Sequence, residues 1–154
     1  MIESSLVYLI QDDKWLMLLR NKKKNDLNLN KWIGVGGKKL SNETIEECAI
    51  RETYEETGLH IQNLDFRGII NFYYENKEME KITLYTSNDF NGEMHDCNEG
   101  TLCWIKQDKI LDLELWEGDK IFLKYLFSNK NALFSLNLSY DSNDKLIHSE
   151  FGEL

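Results

Sequence analysis

Proline is absent from this chain of 154 residues, so the ends of its strands and helices must be set by Gly, Asn and Asp alone. Cysteine is scarce: Cys48, Cys97 and Cys103 form no CxxC pair, and an odd count of this kind excludes a disulfide framework and a thiolate zinc site. All three are expected to be reduced, with Cys48 and Cys103 in the core. No segment approaches the ~18 to 20 consecutive apolar residues of a membrane span. The opening stretch MIESSLVYLIQDDKW has neither a basic n-region nor a small-residue cleavage site. A soluble, cytoplasmic protein without a membrane partner is the expectation. Positive charge is short as well: 18 Lys and Arg against 27 Asp and Glu leave a formal charge of -9. No basic stripe with interleaved aromatics runs along the chain, and duplex DNA or long RNA is excluded as a partner. A small polyphosphate remains accessible to an acidic protein if divalent cations stand between the two negative partners.

What is present is a core-forming composition, 42% hydrophobic and 12% aromatic, in a length that fits one domain spanning 1–154. Segments 4–11 and 14–20, separated by Asp12-Asp13, predict two strands with a tight turn. Residues 21–31 are polar and predict a loop, and GVGG at 34–37 marks a tight backbone path or close approach to a ligand. Thr44-x-x-Glu47 is a capping box and Gly58 sits where a helix C′ glycine belongs, which predicts a helix over 45–57. Alternating residues at 66–74 and 81–87 predict a hairpin with the charged tip ENKEME. A further strand is expected at 101–106, a helix over 117–128, and tail strands near 132–139 and 144–150. Several strands around two helices make an α+β, layered domain.

On the first helix, Glu52, Glu55 and Glu56 fall within one face roughly 100° wide. They lie in the last turns, where the macrodipole disfavours each negative charge by ~0.3 to 1 kcal/mol. Two unit charges ~4 Å apart at an effective dielectric near 20 repel by about 4 kcal/mol, more than the single neighbour Arg51 offsets. A broken local rule of this kind points to function, although a solvated acidic face would carry the same triplet. Hard oxygen donors so clustered suit magnesium, or manganese in its place, with coordination positions left open for water and phosphate.

The surrounding residues narrow the choice. Gly37, Glu43 and Arg51-Glu52-x-x-Glu55-Glu56-x-Gly58-Leu59 match the Nudix box at every fixed position except Thr53, where an aliphatic residue is usual and whose methyl can pack against the sheet. KWIGVGGK before the box, CNEGTLCW at 97–104 and WEGD at 116–119 resemble the MutT-type Nudix enzymes that hydrolyse oxidised purine nucleoside triphosphates such as 8-oxo-dGTP. The resemblance implies a Nudix α/β/α sandwich with a mixed central sheet, and hydrolysis to nucleoside monophosphate and pyrophosphate. It assigns Glu52, Glu55 and Glu56 to magnesium, together with the carbonyl of Gly36 or Gly37. Glu99 is implied as a further ligand or as the general base, its plain alternative being a surface turn residue. Glu52, Glu55 and Glu99 all remain candidates to deprotonate the attacking water. Arg51 is expected to orient the glutamates.

The same resemblance puts Lys22, Lys23 and Lys38 near the phosphate path, where a solvated basic loop is the plainer description. It puts Trp116, Asp119 and Phe72 at the base, with ordinary core packing as the alternative for both aromatics. Ile33 stands where an asparagine reads the base, and Gly118 replaces one of two adjacent aspartates, which leaves the preference for an oxidised base open. Missing proline argues against ADP-ribose, whereas Tyr73 or Tyr74 keeps diadenosine polyphosphates in view. A catalytically silent nucleotide sensor would have lost box glutamates that are all present here. A monomer or homodimer acting on a nucleoside triphosphate is the expectation.

Overall fold

The structure is a computed structural model that describes residues 1–129 and 131–154. Its elements run β1 (Ile2–Gln11), β2 (Lys14–Arg20), β3 (Trp32–Ile33), β4 (Val35–Lys38), α1 (Ile45–Thr57), β5 (Leu59–Tyr74) and β6 (Glu80–Gly92), then β7 (Gly100–Lys106), α2 (Gln107–Ile110), α3 (Glu117–Ser128), β8 (Phe134–Tyr140) and β9 (Leu146–Glu153). The strands are ordered β3-β2-β1-β6-β5-β8-β9, with β4 also pairing β1 and β7 also pairing β2. β1–β6 and β5–β8 are parallel and the other pairs antiparallel, so the sheet is mixed as expected.

Strand alternation splits the apolar residues into two cores, one on each face. Val7, Leu9, Leu16 and Leu18 face Ala49 of α1, while Tyr8, Trp15 and Met17 join Phe122, Leu123 and Leu126 of α3. Helices therefore cover both faces, giving an α/β/α sandwich in the α+β class.

α1 occupies the predicted span because its ends are encoded locally. The Thr44 hydroxyl accepts from Glu47 N–H, the Glu47 carboxylate accepts from Thr44 N–H, and Gly58 stops the helix at φ 82° in the left-handed region. Caps of this kind contribute about 1 kcal/mol each. Thr53 is fully buried, as its methyl allowed.

Two strand bounds and the burial of one cysteine are corrected. β5 begins at Leu59 rather than near 66, directly after the Gly58 cap, and β6 continues to Gly92 rather than 87. The outer halves of these strands are polar on their open side and are held by pairing with each other, which no apolar run reports. GVGG takes the expected tight path, as part of a strand, Val35–Lys38, antiparallel to β1. Cys103 is exposed, because alternation along β7 turns it outward with Thr101, and Cys97 is the second buried thiol beside Cys48. The tail strands start at Phe134 and Leu146, joined by a turn with Asp144 at positive φ.

Candidate active site

Two strands pin the acidic helix from above. Gly36 and Gly37 of β4 pair with Leu6 and Ser5 of β1. A β-carbon on Gly36 would stand 2.0 Å from the Ser5 carbonyl oxygen, so only glycine lets these strands approach. Gly36 N–H donates to Glu56 Oε2 at 2.7 Å, which draws the Glu56 carboxylate beneath β4. No N–H or O–H among the described residues donates to its other oxygen, Oε1, which is buried. Glu52, one turn earlier, lies against Gly37. Arg51 braces this end of the helix: its guanidinium donates to both oxygens of Glu43 at 2.7 and 2.9 Å, to Glu52 at 2.9 Å and to Glu55 at 3.2 Å. Those bonds lower the Glu43 carboxyl to about 2, so it stays ionised as the anchor for Arg51.

Glu99 arrives from the turn before β7. Arg20, at the end of β2, holds it at 3.6 Å and also pairs with Asp26 at 2.7 Å, while Lys23 reaches it at 3.4 Å. Burial raises the Glu56 carboxyl far above its usual range, and the neighbouring Glu99 adds to this. Glu99 is lowered, first by its hydrogen bond with Glu56 and then by Arg20 and Lys23. The pair thus shares a proton that resides on Glu56. Glu52 is raised by burial, opposed by Arg51.

These residues fit a divalent cation. No protein donor reaches Glu56 Oε1, the ligating atoms on offer are all oxygens, and Gly37 keeps a side chain out of the space beside Glu52. Among the described residues no three acidic, His or Cys side chains already stand at ligand spacing.

A cavity of about 910 Å³ opens from this acidic cluster. Its floor is one face of the sheet, with Ser4 and Leu6 of β1, Glu80 and Ile82 of β6, and Ile70 and Phe72 of β5; Trp116, the N-cap of α3, and Asp119 in its first turn form a wall. Of the residues picked from sequence, Ile33, Gly37, Lys38, Glu52, Phe72, Glu99, Trp116 and Asp119 line this one space. Others do not. Glu55 is exposed on the side of α1 and tied to Arg51, and Glu56 is buried behind β4. Lys22 turns away and donates to the Cys97 carbonyl at 2.7 Å, in a separate recess with His95 and Asp96. Lys23 is exposed and meets the site only through Glu99.

The aromatic wall is clamped. Trp116 is buried, its indole N–H donates to Asn28 Oδ1 at 2.8 Å, its edge contacts are Tyr140 and Phe72, and Lys31 Nζ lies 4.3 Å over the ring. It serves the core and the cavity at once. Burial pushes the Asp119 carboxyl up to about 7, against the opposing pull of Lys31. Gly118 has a packing reason: a β-carbon there would stand 2.4 Å from Leu138 Cδ1 and 2.7 Å from the Tyr140 hydroxyl oxygen. Sequence reasoning missed Arg20, Asn28, Lys31 and Glu80. An arginine closing a strand just before a basic loop was the one available signal for Arg20; the rest carry none.

Comparison with known proteins places the fold in a family. The NUDIX domain family matches residues 3–126. Oxidized purine nucleoside triphosphate hydrolase of Danio rerio is 30% identical over 130 residues, 84% of this chain and 81% of that protein. The protein of the same name from Mus musculus is 26% identical over 151 residues, 97% of this chain and 94% of its own length. The crystal structure of a MutT protein from Bacillus halodurans superposes with a TM-score of 0.86 at 25% identity, covering 98% of this chain and 97% of that one. The family match spans most of the chain and the Danio rerio relative is 30% identical over 84% of it, and the chain belongs to the Nudix hydrolase family.

Proposed function

We propose that this chain hydrolyses a purine nucleoside triphosphate, with 8-oxo-dGTP as a preferred form, to the nucleoside monophosphate and pyrophosphate in a reaction that needs magnesium. The single observation that carries the reading is that one cavity joins the acidic cluster of Glu52 and Glu99 to the wall of Trp116 and Asp119. Phosphates belong at the first end and a flat polar base at the second. The names of the Danio rerio and Mus musculus relatives favour the oxidised purine as substrate.

Glu52, Glu56 and Glu99, with the Gly37 carbonyl, would hold magnesium, or manganese in its place. When bound, the cation neutralises phosphate charge and lowers the pKa of a water molecule. Arg51 fixes the Glu52 carboxylate, and Glu43 fixes Arg51. Glu52 and Glu99 both line the cavity and are better placed than Glu55 to take the proton of the attacking water. Lys38 lies on the phosphate side of the same space. β8 and β9 extend the same sheet beyond β5, and α3 packs on its face, which supports one Nudix domain over 1–154. The net charge of -9 supports a small nucleotide over polymeric nucleic acid. No helix among the described residues is long and apolar enough to cross a membrane.

The test is a substrate comparison of dGTP, 8-oxo-dGTP, ADP-ribose and diadenosine tetraphosphate with magnesium, products resolved by chromatography. Fastest turnover of 8-oxo-dGTP with release of pyrophosphate is expected. Turnover confined to ADP-ribose or diadenosine tetraphosphate would overturn the reading.

A further inference from the structure

Among the carboxylates that line the cavity, Glu80 stands away from the acidic cluster, on the floor. It is half-buried on β6, directly opposite Phe72 of β5 in the antiparallel register, so the two side chains stand on the same face about 5 Å apart at their β-carbons. The buried Ser4 hydroxyl donates to Glu80 Oε2, which fixes the carboxylate toward the cavity. Among the described residues Oε1 takes no hydrogen bond, and no cation lies within ion-pair distance of Glu80. Its neighbours along the floor, Ile2, Ile82 and Phe72, offer no polar partner. An ionised carboxylate accepts hydrogen bonds and donates none. Left beside an aromatic floor residue with one oxygen free, it is complementary to a ligand N–H at that place.

Asp119 already presents an acceptor from a different element, the α3 wall. Two acceptors on separate elements call for donors on two edges of one base. An unmodified purine meets only half of this demand. Its amino and imino N–H groups lie on the pairing edge, while N7 on the imidazole edge carries a lone pair that a carboxylate repels. Oxidation at C8 converts the imidazole edge: N7 gains a hydrogen and C8 a carbonyl oxygen. We propose that Glu80, held by Ser4 beside Phe72, is a specificity-determining residue that accepts a hydrogen bond from the N7–H carried only by the 8-oxo purine. This inference rests on the proposed purine nucleoside triphosphatase activity and deepens it. Selectivity then has two parts, an added hydrogen bond for the oxidised base and a repulsion against the ordinary one.

The experiment compares wild type, Glu80→Gln and Ser4→Ala for kcat/KM on 8-oxo-dGTP, dGTP and 7-deaza-dGTP at fixed magnesium. Thermal unfolding of each variant and calorimetric binding of 8-oxo-dGMP and dGMP accompany the kinetics. The amide of Gln keeps the shape and adds a donor suited to a bare N7. In Glu80→Gln the ratio for 8-oxo-dGTP over dGTP should fall about tenfold or more, and the binding ratio of the two monophosphates should fall with it. Ser4→Ala frees the carboxylate and should produce a smaller fall in the same direction. 7-Deaza-dGTP has no lone pair at this position, so wild type should turn it over faster than dGTP and Glu80→Gln should erase that advantage. An unchanged ratio in a folded Glu80→Gln protein overturns the inference and leaves the proposed function standing. Failure of wild type to hydrolyse any nucleoside triphosphate overturns both.

Discussion

A β-carbon placed on Gly37 would stand 2.5 Å from the carboxylate carbon of Glu52 and 2.7 Å from each of its oxygens. The neighbouring glycine has a different constraint, since a β-carbon on Gly36 would meet the backbone oxygen of Ser5 at 2.0 Å, with φ at 153°. A carboxylate at the end of a flexible side chain can move aside; a strand backbone cannot. Gly37→Ala should therefore remove activity by a hundredfold or more, as an order-of-magnitude estimate for misplaced catalytic groups, while the unfolding temperature hardly changes. Gly36→Ala should instead destabilise the fold by about 1 to 3 kcal/mol or more. Kinetics and thermal melts of the two variants separate these effects, and a reversed pattern would place the site elsewhere.

The buried Glu56 carboxyl, raised by burial and by its neighbour Glu99, leads to a prediction about metal. Excess chelator should abolish turnover, and magnesium or manganese should restore it. Glu56→Gln keeps the shape and the neutral charge of the protonated acid, so the apo protein should be as stable as wild type or more so. Its turnover should nevertheless fall by orders of magnitude, and its unfolding temperature should lose any rise that magnesium causes in wild type. Normal activity in chelator would sink the mechanism.

Arg20 holds Glu99 from the end of β2 and is anchored in turn by Asp26. Its proposed part is to position Glu99. Arg20→Met should lower kcat about tenfold by the usual weight of an orienting charged contact. Glu99 is kept low first by Glu56 and then by Arg20; without Arg20, the acidic limb of the pH–rate profile should move to higher pH. A loss of rate with an unmoved acidic limb would assign Arg20 to folding or to the phosphates.

Asp119 titrates in the folded state near 7, against a usual value of 3.8, because burial disfavours its charge and Lys31 only partly compensates. The buried phenols of Tyr8 and Tyr140 are the other titratable groups facing it, and both are raised with Asp119 as a contributing cause. A carboxyl raised on folding contributes stability that is complete below the unfolded value and is lost as pH climbs through the folded one. Wild type should therefore lose about 1 to 3 kcal/mol between pH 4 and pH 8 from this group, the lower part of the range allowing for partial solvent contact. Asp119→Asn should flatten that part of the profile. Denaturant unfolding at pH 4.5 and pH 8 in both proteins measures it; parallel profiles would show that Asp119 is ionised throughout.

α1 and α3, both central hairpin strands and the acidic box were legible in the amino-acid sequence because each is encoded within a few residues of itself. Thr44 and Glu47 cap α1, Gly58 ends it, and Glu52, Glu55 and Glu56 follow the helical period; the same locality identified the family. Tertiary structure alone decided the rest. Glu55 and Glu56 are adjacent in sequence, yet one is exposed on Arg51 and the other buried under Gly36, because β4 crosses only one side of the helix. Glu99 and Arg20 meet, and Ser4 finds Glu80 across 76 positions, because sheet register brings distant strands together. Cys103 faces solvent and Cys97 does not, since burial follows which face of a strand is covered and not how apolar a residue is. Local order comes from hydrogen bonds and steric preference between near neighbours. The cavity, its charge balance and its floor exist only once the sheet is closed between its helices.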